Sequence, residues 1–295
     1  MSYPKVFITV LNWNGKEVVK ECLESIKGVD YPNYEVVVVD NGSTDGSQKE
    51  IEENNPYVHL VKSRENVGVA EGQNIGLRYA LENGMDYVFV LNNDTTLDKN
   101  ILSELLKIAE GDSKIGVVVP RTYSAEEPDK VQSAGGRIDW NRGKCYHLQA
   151  AEAGSNGMEI DYLGSALIKR QVIKEIGLYD PRYFAYWEDT DFCTRVKRAG
   201  FRVVCALKAR LWHKGTYSVG RIAGFYEYYF TRNRFWFMKR YATRRQFVSF
   251  ICWFFFFELW LRSGILLILR RKPKACLSLY QGVKDGIWGK LDESS

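Results

Sequence analysis

Cysteine is sparse in this chain and nowhere clustered. The six cysteines, at positions 22, 145, 193, 205, 252 and 276, make no CxxC pair and match no zinc-ligand spacing, so they read as reduced thiols in a cytosolic setting. No secretory signal is expected either, because Met1 leads straight into charged and strand-like sequence. Without export, the sequons Asn41-Gly42-Ser43 and Asn93-Asp94-Thr95 are coincidence. No internal repeat is present. The net charge of +5 is too small to argue for nucleic acid. Apolar residues at 45% and charged residues at 26% exclude a disordered or collagen-like chain.

With 295 residues, the chain can bury the core of one large domain and carry an appendage. The first 120 residues alternate apolar β-branched runs (Val6–Leu11, Tyr34–Val39, Val58–Val61, Tyr87–Leu91, Ile115–Val119) with segments of helical spacing such as Val18–Ile26 and Ile101–Ile108. Near-continuous Val/Ile runs imply strands buried on both faces. The expected architecture is therefore α/β, a largely parallel sheet covered by helices. Ligands of such sheets bind beyond the carboxyl ends of the strands. Here those ends read Asn12-Trp13-Asn14-Gly15, Asp40 through Asp45, and Asn92-Asn93-Asp94. Residues 121–160 lose periodicity and suggest a variable loop or small subdomain. Strands are expected again at Tyr162–Lys169 and Phe201–Leu211, with a helix at Asp191–Ala199 between them.

Each of these ends has a functional and an ordinary reading. Asp40 could accept hydrogen bonds from a base or ribose at the strand tip, or simply form a turn and cap the next helix. The glycines at 68, 72 and 76 match neither GxGxxG nor a P-loop. They suit close approach to a ligand, with an anion at the helix N-terminus, or tight packing of a helix on the sheet. Asp94 suits a divalent cation that bridges a diphosphate, since phosphates and water complete its octahedron; the alternative is an Asx turn. In Trp187-Glu188-Asp189-Thr190-Asp191, acids at a helix start are favoured by capping and the macrodipole alone. Asp191, with Arg195 one turn on, is assigned to structure as a surface pair. Asp189 is the candidate general base, and Glu188 its reserve. His213 closes a strand, where a neutral imidazole could join Asp94 at a metal.

In order along the chain, Leu11-Asn12-Trp13-Asn14-Gly15, Val39 through Asp45, Glu65 through Gly68 and on to Gly76, Leu91 through Thr95, Gly164-Ser165-Ala166, Tyr186 through Asp191, Trp212-His213 and Arg232-Asn233 resemble the family-2 glycosyltransferases of GT-A fold. The closest resemblance is to the branch that includes bacterial rhamnosyltransferases, and it covers roughly residues 4–240. It implies a Rossmann-like sheet and inverting transfer from a nucleoside-diphosphate sugar, dTDP- or UDP-linked, with Mg2+ or Mn2+ as cofactor. It further implies that Trp13 and Asp40 hold the base and ribose, with Leu11, Asn92 and Asn93 also on the donor side. Asn66, Gly68 and Asn74 would shape the donor pocket. Asp94, with His213, would ligate the metal, and Asp189 would act as base. The usual DxD stands here as Asn92-x-Asp94, which removes one negative charge beside the metal.

Arg and Lys crowd residues 232–274, where Glu258 is the only acid, which points to an anionic membrane surface. Phe247–Leu269 is about 23 residues long and could span a bilayer by length. Against one simple span, Glu258 would sit near the midplane, and basic clusters flank both ends. Glu258 and Arg262 could pair one turn apart. The expectation is a catalytic domain over 1–240 and a membrane-associating region over 241–295, peripheral or re-entrant on the cytoplasmic face. The alternative for this segment is a buried or dimer-forming helix pair. A glycan or lipid-linked glycan is the expected acceptor, and oligomerisation stays open. Two competing functions are a nucleotidyltransferase, which would need a basic glycine-rich loop near the N-terminus, and a catalytically decayed nucleotide-sugar-binding scaffold.

Overall fold

A computed structural model describes residues 3–149, 154–162, 164–215 and 222–289. β1 (Val6–Asn12), β2 (Tyr34–Asp40), β3 (Val58–Lys62) and β4 (Tyr87–Asn92) lie parallel in the order β3-β2-β1-β4. Asn12 stands opposite Asp40 at the end of their ladder, so the first two motif turns leave the sheet side by side. α1 (Lys16–Lys27) turns Val18, Val19, Cys22, Leu23 and Ile26 inward, and α4 (Ile101–Ala109) does the same with Ile101, Leu102, Leu105 and Leu106. Both cover one face of the sheet. α3 (Gly68–Glu82) and α6 (Glu188–Arg198) help to cover the other. Burial on both faces is why the strands read as continuous Val/Ile runs rather than alternating ones.

Beyond β4 the sheet is mixed. β11 (Ala166–Lys169) inserts antiparallel between β4 and β6 (Ile115–Ser124), and β12 (Arg202–His213) then runs parallel to β6. A short strand β5 (Thr95–Leu97) folds back against the end of β12 and pairs Thr95 with His213. The stretch 121–160, expected as a variable loop or small subdomain, holds the end of β6, β7 (Val131–Ser133), a hairpin of β8 (Gly136–Asp139) with β9 (Lys144–His147), and β10 (Met158–Glu159). These strands are two to four residues long outside β6, too short to leave a period in the sequence. The expected strand at Tyr162–Lys169 begins only at Ala166, and Leu163 lies outside the described residues.

Three helical segments finish the fold. α7 (Phe225–Tyr241) is followed by one continuous helix, Arg244–Leu269, and by α10 (Pro273–Trp288). The long helix starts on a capping box between Thr243 and Gln246. It consists of α8 (Arg244–Trp253), a π-helical turn (Phe254–Glu258), α9 (Leu259–Gly264) and a second π turn (Ile265–Leu269). Its buried positions are Phe250, Phe254, Glu258, Leu259, Ser263 and Leu266. The four-residue steps among them would drift off one face of an ordinary α-helix, and the π turns accommodate them. These helices share the apolar cluster of the sheet: Phe235, Phe250, Phe254, Leu279 and Val283 belong with Val88, Ile168 and Val196.

Glu258 is not chiefly paired with Arg262, as its spacing suggested. Arg234 of α7, 1% exposed, grips both its oxygens at 2.6 and 3.0 Å, Lys144 stands at 3.4 Å and Arg262 at 3.8 Å. A carboxylate inside an apolar helix is tolerated because an arginine from a distant helix satisfies it bidentately.

Candidate active site

The carboxyl ends of β1, β2 and β4 open into a cavity of about 310 Å3. Leu11, Trp13, Asn66, Gly68, Asn92, Asn93, Asp94, Glu188, Asp189 and His213 all line it. Residues far apart in sequence thus meet in one place.

Two expected donor contacts do not reach it. Asp40 is fully buried, and its oxygens already accept from Asn12 Nδ2 (2.9 Å), the Ser43 amide (3.0 Å) and Gln48 Nε2 (2.6 Å). Asn12 in turn accepts from Asn93 at 2.7 Å, so Asp40 anchors the floor beneath the cavity. Asn74 is equally buried. Its amide exchanges two 2.9 Å bonds with the backbone of Tyr179 and so fixes that cavity wall to α3.

The glycine-rich loop serves closure rather than anion binding. The first amides of α3 are taken: Val67 by Asn41 Oδ1, Gly68 by Asn66 Oδ1, and Val69 and Ala70 by the Phe184 carbonyl. Gly68 has φ of +87°, and a Cβ there would lie 2.6 Å from Phe184, so only glycine lets the helix close on that residue. Asn41 also donates to Asn66 and to the Gly68 carbonyl at 3.0 Å. It lines the cavity, as do Gln73, Tyr179, Phe184, Tyr186 and Phe225. Sequence reasoning missed these six. Asn41 was findable as the neighbour of Asp40 in the same turn; Phe225 sits in no motif. The sequon residues Asn41 and Asn93 are 2% and 6% exposed, which rules them out as glycan acceptors in the folded chain.

On one wall, β5 pairing brings His213 to Asp94, with Nε2 3.3 Å from Oδ2. Asp94 is buried, and its Oδ1 has no hydrogen-bond partner, although buried carboxylate oxygens are normally satisfied. Asn92 is exposed at the rim and lends its carbonyl to Thr95 at 2.7 Å. Among the described residues, no cluster of three or more His, Cys, Asp or Glu could hold a metal. An ion here would therefore need ligand oxygens from a substrate. The donor set fits that case: one orphaned carboxylate oxygen, one imidazole, and room for phosphate.

Glu188 and Asp189, which also line the cavity, open α6. Burial, then the neighbouring Asp189, pushes the Glu188 carboxyl from 4.5 up to about 8, and its Oε2 has no partner. Asp189 is also raised by burial, but the Thr190 amide (2.6 Å) and hydroxyl (3.1 Å) donate to its Oδ1 and, with His147, oppose the rise. Two adjacent carboxyls share one confined site, and of the two Asp189 has the hydrogen-bond donors that favour its charged form. Asp191 is structural, but it is not a surface residue. It is fully buried and holds Arg195 Nε (2.8 Å), Tyr241 OH (2.7 Å) and Tyr183 OH (3.2 Å).

The family model "Glycosyl transferase family 2" matches residues 6–177. The low-salt glycan biosynthesis hexosyltransferase Agl10 of Haloferax volcanii is 25% identical over 232 residues, covering 77% of this chain and 73% of that protein. The dTDP-rhamnosyl transferase RfbF of Shigella flexneri is 24% identical over 186 residues, 58% of this chain and 56% of its own length. Among solved structures, the mannosyltransferase PcManGT of Pyrobaculum calidifontis, in complex with GDP-Man and Mn2+, superposes with a TM-score of 0.62. It is 18% identical, and the match covers 98% of this chain and 88% of that one.

Proposed function

The chain belongs to glycosyl transferase family 2, and from that premise we propose that it is an inverting transferase acting at a membrane surface. The donor is a dTDP- or UDP-linked sugar, in line with the rhamnosyl and hexosyl transferases it is similar to. The acceptor is a glycan or a lipid-linked glycan. One observation carries the reading: a half-buried carboxyl pair, Glu188 and Asp189, and the Asp94–His213 pair line one cavity at the strand ends.

In this reading the acceptor hydroxyl gives its proton to Asp189. Thr190 occupies Oδ1, which leaves Oδ2 for the proton. The acceptor oxygen bonds to the anomeric carbon as the carbon–oxygen bond to the diphosphate breaks and the diphosphate keeps the electron pair. Glu188, protonated at neutral pH, adds no second negative charge beside the base. Trp13 and Leu11 receive the nucleoside, with Asn66, Asn92 and Asn93 around it, while Asp40 and Asn74 hold those contacts in place from beneath. Asp94 Oδ1 and His213 would hold Mg2+ or Mn2+. When bound, the cation would offset charge on the departing diphosphate.

Residues 1–240 form the catalytic part, and 241–295 seat it on the bilayer. Among the described residues, Arg244–Leu269 is the one helix long and apolar enough to cross a membrane by length and composition. Its inner face is pinned to α7 by the Arg234–Glu258 pair, which favours an in-plane position over a span. Its outer face presents Phe256, Phe257, Trp260, Leu261, Ile268 and Leu269, 61–76% exposed, between Arg244-Arg245 and Arg270-Arg271-Lys272. A contiguous apolar patch with basic ends fits an anionic bilayer.

The test is a panel of dTDP-, UDP- and GDP-sugars with Mg2+ or Mn2+, the product anomer being read by NMR. Turnover with inverted configuration is expected. Retained configuration would overturn the single displacement, and no turnover with any donor would favour the decayed scaffold. Carbonate washing should strip the chain from membranes; retention would favour insertion.

A further inference from the structure

The segment that delivers the carboxyl pair is strained. Phe184, Tyr186 and Trp187, none of them glycine, have φ of 61°, 66° and 73°. Such a conformation is costly for a residue with a side chain and persists only where surrounding structure imposes it. Trp187 leads directly into Glu188 and Asp189, so whatever imposes these angles aims the pair.

Among the described residues, one side chain of α7 reaches more of this segment's carbonyls than any other. Asn233 is completely buried, and its Nδ2 donates toward three carbonyls of the segment: Tyr183 at 2.7 Å, Ala185 at 2.8 Å and Tyr186 at 2.8 Å. Its Oδ1 accepts from Arg232 Nε at 2.9 Å, which fixes which end of the amide faces the strained loop. Arg232 NH2 adds bonds to the Arg182 and Tyr183 carbonyls at 3.0 and 3.1 Å. The first amides of α3 receive the Phe184 carbonyl, while those of Tyr183, Ala185 and Tyr186 turn toward α7. Buried carbonyls need donors, and Asn233 supplies them.

We infer that Asn233 is a positioning residue for transfer, holding Glu188 and Asp189 at the reacting centre through the carbonyls of residues 183–186. The inference rests on the proposed role of Asp189. Asn233 touches no cavity surface, so its effect passes through the loop alone.

Asn233→Asp keeps the shape and removes the donors, placing a carboxylate against three carbonyls. Two measurements are made on it. Hydrogen exchange of the amides of 184–190 reads the loop whatever the reaction is, and faster exchange than wild type is expected. Kinetics at saturating donor should show kcat lowered about a hundredfold, the scale of a 1 Å misplacement, with nucleotide affinity within about threefold of wild type. The acid limb of the pH–rate profile, which reports the surroundings of Asp189, should also move. Leu105→Ala in α4, on the other face of the sheet, is the control for a purely structural loss: its Tm falls, while kcat below the melt stays near wild type.

Faster exchange with unchanged kcat would reduce Asn233 to a structural residue and overturn the inference. Unchanged exchange would overturn it as well. If wild type turns over no donor, the transferase reading fails, and the exchange measurement alone decides whether Asn233 holds the segment.

Discussion

Replacing Asp189 by Asn separates the two carboxyls most sharply. Asparagine has nearly the same volume, and its Oδ1 can still accept from the Thr190 amide and hydroxyl, so the start of α6 should remain intact. The loss is the acceptor of the proton. A positioned base is worth roughly 10²–10⁴ in rate, or about 3–5 kcal/mol of barrier, and turnover should fall by that much while nucleotide binding stays unchanged. Glu188→Gln is the counterpart. Glu188 is already protonated at neutral pH, its carboxyl standing at about 8, so a neutral amide imitates it and turnover should stay within about tenfold of wild type. The assay is steady-state transfer with the best donor, beside calorimetric titration of the nucleoside diphosphate. Near-wild-type turnover in Asp189→Asn together with a dead Glu188→Gln would refute the assignment and exchange the two roles.

Three further outcomes are expected. A carboxyl raised from 4.5 to about 8 favours the folded state fully below pH 4.5, and that contribution is lost as pH rises toward 8. The Tm advantage of Glu188→Gln over wild type should therefore widen across that window; a constant difference would show that Glu188 is not shifted. Asp94→Ala should raise the Mg2+ or Mn2+ concentration needed for half-maximal turnover at least tenfold, since the orphaned oxygen is removed; an unchanged metal titration would remove Asp94 from the site. Asp191→Ala should cost about 3–5 kcal/mol in urea unfolding because it leaves Arg195 without its buried partner; a loss under about 1 kcal/mol would place that pair on the surface after all.

Much of this architecture was legible because burial on two faces writes itself into composition. The Val/Ile runs marked β1, β2, β4 and β6 to within a few residues, and the Asn/Asp/Gly turns marked their carboxyl ends. What stayed hidden was pairing over distance. Nothing in Ala166–Lys169 announces that it runs antiparallel between β4 and β6. The spacing of Glu258 to Arg262 suggested a local pair, whereas the stronger partner lies 24 positions away in Arg234. Asp40 looked like a ligand contact because it ends a strand at the right place. Only the folded chain shows that its oxygens also accept from Asn12, Ser43 and Gln48 and tie the neighbouring turns together. Residue type and local order are local properties of a chain; the occupancy of a lone pair is not.

The dependence of the 183–186 carbonyls on Asn233 also sets a timetable for the nascent chain. The turns of β1, β2 and β4 leave the ribosome first, but the cavity they open into is also lined by Tyr179, Phe184, His213 and Phe225, which follow. The side chain that holds the carboxyl pair arrives with α7, and α7 is itself buried against α10, where Gly282 allows close contact with the Tyr228 carbonyl. Since domains generally fold as units, the carboxyl pair is held only once α7 has emerged and packed. The side chain that aims the carboxyl pair and the apolar helix Arg244–Leu269 are thus completed close together in synthesis.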